Sequence, residues 1–105
     1  MEQVTIRLID IENAISNGML ARGKGSACGC GRAYVCLTNK SQLKLFKQAF
    51  TNCGIRYIGP AYGSGKYCAY IGYDNGTGTP LAQSENIASN LNKIGIQCYA
   101  DAVGD

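Results

Sequence analysis

Three tyrosines, Tyr67, Tyr70 and Tyr73, fall within the segment "KYCAYIGY". Rings at that spacing on an extended chain can stack on a base or another flat group, which is binding chemistry. A second set is basic and glycine-rich. "RGKGSACGCGR" carries Arg22, Lys24 and Arg32, and "DNGTGTP" follows the tyrosines. If a helix begins after that turn, the backbone N–H groups of Gly76, Thr77, Gly78 and Thr79 would favour an anion such as a phosphate. Glycine-rich loops are also simply turns, and that reading stays open beside the anion pocket.

Catalysis finds little to work with. The chain has no histidine, so no Ser-His-Asp or Cys-His set can be assembled. "GSGK" is not a phosphate loop, because Pro60 and Tyr67 stand where a glycine and a Ser or Thr belong. Asp74 and Asp101 are the only acids in attractive places, with no metal pattern around them. Six cysteines are present, with Cys28 and Cys30 as a C-x-C and no C-x-x-C. One short pair does not make a zinc site. Cys36, Cys53, Cys68 and Cys98 lie in apolar contexts, where free cysteine acts as a small hydrophobe. Free thiols are therefore expected, with disulfides as the second reading. Cys28 or Cys30 beside Arg22, Lys24 and Arg32 could act as a reactive thiol.

The totals bound these readings. A chain of 105 residues suits one domain, 1–105, and 46% hydrophobic content supports a packed core. The net charge of +3 is compatible with an anionic partner and too small to demand one. No signal peptide and no apolar run of about 20 residues is visible, so a cytoplasm without membrane attachment is expected.

The elements that would position these groups follow from periodicity. "RAYVCLT", Arg32 to Thr38, alternates as a strand. Leu43, Phe46, Phe50 and Cys53 recur at helical spacing, with Asn39 or Ser41 as N-cap and Gly54 as the stop. Ile55 to Gly59 is a second strand, "PAYGSG" a hairpin loop and "KYCAYIGY" a third strand. Thr79 is the expected cap of a second helix with Pro80 at its first position. Leu81, Ile87, Ala88, Leu91 and Ile94 trace its apolar face, and Gly95 closes it. "IQCYADAV" is the last strand. Residues 32–103 thus read β-α-β-β-α-β, an α+β ferredoxin-like unit with a four-stranded antiparallel sheet and two helices. Residues 1–31 form an N-terminal extension: a short helix in "DIENAISNGML", capped by Asp10, and the basic connector.

Alternation divides the strands between two faces. Val35, Leu37, Ala69, Ile71, Tyr73, Ile96, Cys98 and Ala100 would face the helices. Tyr34, Cys36, Cys68, Tyr70, Gly72, Gln97, Tyr99 and Asp101 would face away. In the strand order 4-1-3-2, Tyr99, Tyr34 and Tyr70 then form a stacking platform on three adjacent strands. "KYCAYIGY" resembles the RNA-recognition-motif signature: Lys66, Ala69, Tyr70 and Tyr73 match, Tyr67 replaces its glycine and Cys68 its first stacking aromatic. "AYVCLT" is similar to that family's first-strand motif and places Tyr34 at a stacking position. The resemblance implies a single-stranded nucleic acid or nucleotide ligand. In general character the chain also resembles small phage accessory proteins, including anti-CRISPR inhibitors and nucleotide sponges, which implies action in a host cytoplasm.

The expectation is a non-enzymatic binding protein without cofactor or metal, for an anionic nucleotide-containing ligand. The alternative is an inhibitor docking its tyrosine face on a host protein. A thiol redox protein is third. Two arrangements would instead bury the tyrosines: Ile6, Leu8, Ile11 and Ile15 covering the open face, or two copies pressing their faces together.

Overall fold

The structure, a computed structural model, describes residues 6–23, 30–60 and 67–104. Its helices are α1 (Leu8–Gly18), α2 (Leu43–Asn52) and α3 (Thr79–Lys93), and a 3-10 turn, Lys40–Gln42, leads into α2. Its strands are β1 (Cys30–Leu37), β2 (Tyr57–Pro60), β3 (Tyr67–Asn75) and β4 (Cys98–Gly104). The class is α+β. The strands join in one antiparallel sheet in the order β2-β3-β1-β4. The long strands β3, β1 and β4 make its body, with short β2 at one edge. No helix among the described residues is long and apolar enough to cross a membrane.

The main core lies between the sheet and the helices. Val35, Leu37 and Ala69 from the sheet meet Phe46, Ala49 and Phe50 of α2 and Ile87, Ala88 and Leu91 of α3. Full burial of each large side chain contributes about 1.5–3 kcal/mol. Asn39 caps the turn before α2 by accepting from the Ser41 N–H at 3.1 Å. Gly54, at φ 76°, stops that helix in the left-handed conformation.

Helix α1 joins the helix side. Ile11 and Ile15 are fully buried in the main core, so they do not cover the opposite sheet face as one arrangement required. Gly18 permits this docking: a Cβ there would lie 2.7 Å from the Ile87 amide nitrogen and 2.8 Å from its Cα. Arg7, not Asp10, stands at the N-cap of α1, and Asp10 instead pairs with the Arg7 guanidinium at 3.0 Å.

The free-thiol expectation is overturned for two residues. Cys36 and Cys68 oppose each other on β1 and β3 and form a disulfide, with Cα atoms 4.1 Å apart. Both are buried, whereas Cys53 and Cys98 are free. Cys36 exchanges no backbone hydrogen bonds with β3, since alternation points its peptide groups at β4. Such non-hydrogen-bonded antiparallel pairs approach to about 4.5 Å, which brings their side chains together. Denatured without reductant, no more than four of the six thiols should react with a thiol reagent, rising to six after reduction. Six reactive thiols before reduction would contradict the bridge.

Candidate functional site

The sheet face away from the helices is built in rows across β3, β1 and β4. Register gives Cys68–Cys36–Tyr99, then Tyr70–Tyr34–Asp101, then Tyr73–Arg32–Val103. The expected faces hold for β1 and β4: Val35, Leu37, Cys98 and Ala100 belong to the main core, while Tyr34 and Cys36 form a separate small cluster flanked by Tyr70, Tyr99 and Val103.

On β3 the expectation fails beyond Ile71. Ala33 opposes Gly72 but Tyr34 opposes Tyr70, so Ile71 is an extra residue. This β-bulge reverses the alternation after it. Gly72 turns to the helices, where a Cβ would sit 3.5 Å from the Pro80 ring. Asp74 turns the same way and is buried. Tyr73, expected inside, opposes Arg32 on the open face and is 44% exposed.

The expected platform is therefore rearranged. Tyr34 is only 2% exposed, and its ring packs against that of Tyr70 with centroids 5.6 Å apart. It supports the face from below and does not offer a ring to a ligand. Tyr70 and Tyr99 are half-buried, and Tyr73 presents the most accessible ring of the three rows. Arg32 lies beside it across the strands. Arg56 is exposed, and its backbone lies beside Tyr70, whose N–H donates to the Arg56 carbonyl at 2.9 Å.

The anion pocket is also corrected. The N–H groups of Gly76 and Gly78 donate to Asp74 Oδ1 at 2.9 and 3.0 Å, and that of Thr79 donates to Thr77 Oγ1 at 3.2 Å. The anion at the head of α3 is the chain's own carboxylate. Gly78, at φ 75°, is the N-cap, and Thr79 is the first helical residue. Among the described residues, Asp74 Oδ2 is buried without a hydrogen-bond partner. The connector does reach this edge, as expected: the Gly23 N–H donates to Thr79 Oγ1 at 3.0 Å. The Arg22 guanidinium, however, donates to the carbonyls of Met19 and Ala21. Arg32 points to the other side of the sheet. Lys24, Lys66 and Cys28 lie outside the described residues.

Among the described residues, no group of three or more Cys, Asp or Glu could hold a metal. The two described free thiols, Cys53 and Cys98, are poor nucleophiles. Burial pushes the Cys98 thiol up to about 12, and burial foremost raises that of Cys53.

Two features escaped the sequence reading: the outward turn of Tyr73 and the inward turn of Asp74. The second had a signal, since an Asp followed by glycines two and four positions later is a turn in which the side chain takes backbone N–H groups.

The Gly78 N–H, and after it that of Gly76, hold the Asp74 carboxyl below its ordinary value, while burial pushes the other way. A carboxylate with a lowered folded pKa contributes stability above its unfolded value, about 3.9. That contribution is lost as pH falls through the folded value. Asp74→Asn should therefore be less stable than the parent at pH 7, measured by urea denaturation, and the gap should narrow below about pH 4. A gap that is constant down to about pH 2.5 would contradict the assignment. No protein-family model, no curated protein and no solved structure matches the chain.

Proposed function

We propose that this chain is a non-enzymatic binding protein whose open sheet face takes an anionic, ring-bearing ligand, namely single-stranded nucleic acid or a nucleotide. The scaffold is read as a ferredoxin-like unit with α1 as an added helix on its covered side. One observation carries the reading: exposed Tyr73 stands opposite Arg32, one bulge away from Tyr70. A ring beside a guanidinium suits a base next to a phosphate, by stacking and by charge-assisted hydrogen bonding. Exposed Arg56, whose backbone lies beside Tyr70, adds a second positive charge near β3, and Tyr99 borders the face on β4.

The absence of histidine and the raised thiols support binding over catalysis. Net charge is modest, so binding depends on where the arginines sit, and its strength falls as salt rises.

The test is titration of a labelled single-stranded oligonucleotide and of free nucleotides, at low and high salt. Tyr73→Ala and Arg32→Ala should each weaken binding by about 1–3 kcal/mol, because base stacking and charge-assisted contacts are of that size. Lys44→Ala, on exposed α2 surface, should leave binding unchanged. Absence of binding at low salt, or wild-type affinity in both face variants, would overturn the reading. Binding of a host protein through Tyr73 without nucleotide would move the function to protein inhibition.

A further inference from the structure

Among the described residues β4 is an edge strand, paired with β1 on one side only. Just before it, the Thr38 N–H donates to the Gln97 carbonyl at 2.9 Å, so Gln97 points its carbonyl at β1. Alternation then directs the backbone groups of Tyr99, Asp101 and Val103 to β1 as well, and those of Cys98, Ala100 and Ala102 outward. These outward groups are the template that an added strand would use.

Two of these outward positions are already engaged, Cys98 through both its N–H and its carbonyl and Ala102 through its N–H. Asn92, in the last turn of α3, reaches across to Cys98. Its Nδ2 donates to the Cys98 carbonyl at 3.2 Å, and its Oδ1 accepts the Cys98 N–H at 3.3 Å. One side chain thus makes both bonds that a partner strand would make there. Four residues on, the Ala102 N–H donates to Asp101 Oδ1 at 2.9 Å. Asp101 also brings a carboxylate to the edge. Between them only Ala100 retains an outward N–H and carbonyl. The opposite edge is poor for a different reason: β2 has four residues, an irregular register between Tyr57 and Gly59, and Pro60, which has no N–H.

We propose that Asn92 and Asp101 guard the β4 edge against pairing with the β4 of a second copy of this chain. Such pairing would run the two sheets into one. A dimer would need hydrogen bonds at successive outward positions, and the guards interrupt that run at Cys98 and at the Ala102 N–H. Asn92 does this at a definite place because α3 ends beside β4: Gly95, at φ 100°, turns the chain so that Cys98 returns within reach. The inference is independent of what the open face binds.

The experiment is Asn92→Ala combined with Asp101→Val, followed by light scattering across concentration and amide hydrogen exchange. In the parent, the Cys98 and Ala102 amides should exchange at least about tenfold more slowly than that of Ala100, since a hydrogen bond must open first. In the double variant, a concentration-dependent dimer should form, and the Ala100 amide should become protected within it. A parent protein that already dimerises with Ala100 protected would overturn the proposal. So would a folded double variant that shows no added dimer. If the variant does not fold, the exchange pattern in the parent still decides: equal rates at Cys98, Ala100 and Ala102 would refute the guards.

Discussion

One extra residue in β3 sets the two ends of this molecule. With Ile71 bulged out of register, the strand turns half a step, and every side chain after it changes face. Tyr73 moves to the open face opposite Arg32, and Asp74 moves under the helices. From there Asp74 reaches the amides of Gly76 and Gly78, which needs the positive φ of both glycines, 106° and 75°. The turn that leads into α3 is thereby closed from within, and the Gly23 N–H bonds to Thr79 at the start of the helix. Without the bulge, Gly72 and the Asp74 carboxylate would face away from α3, and Tyr73 would face the helices.

The two sheet faces are held by different means. The helix side has a continuous core of Phe, Ile, Leu and Val, with α1 inserted beside α2 and α3. The open face has no described helix over it and depends on a small cluster around Tyr34. There the Cys36–Cys68 bridge ties β1 to β3 across a sequence separation of 32. Closing a loop of that length stabilises by about 4 kcal/mol in the chain-entropy description. The bridge thus adds covalent restraint where the buried cluster is small. It joins the two strands on which Tyr70, Tyr73 and Arg32 stand, on a face that no described helix covers.

The sequence made some of this legible and hid the rest for identifiable reasons. "RAYVCLT" and "IQCYADAV" alternate without interruption, and both strands divide between the faces as their pattern implies. The apolar stripe from Leu43 to Phe50 and the Pro80 start of α3 mark two helices correctly. "KYCAYIGYDN" alternates just as well, yet its second half is reversed, because a bulge is decided by how a strand meets its partner. Cys36 and Cys68 look like apolar packing until the register sets them opposite each other. Ile11 and Ile15 announce a helix with one buried stripe, but nothing local says which side of the sheet receives it. The amides of Gly76 and Gly78 do take an anion, as a glycine-rich turn before a helix implies, but that anion is the Asp74 carboxylate, which only the bulge turns toward them.

The bulge is open to direct measurement by NMR. Non-hydrogen-bonded antiparallel pairs bring their Hα atoms close enough for a strong cross-strand nuclear Overhauser effect. With Tyr34 opposite Tyr70, the next such contact of β1 toward β3 comes from Arg32. The account predicts an Hα–Hα effect from Arg32 to Tyr73. An effect from Arg32 to Gly72 in its place would mean an unbroken ladder. It would return Tyr73 to the helix side and remove the basis of the proposed site.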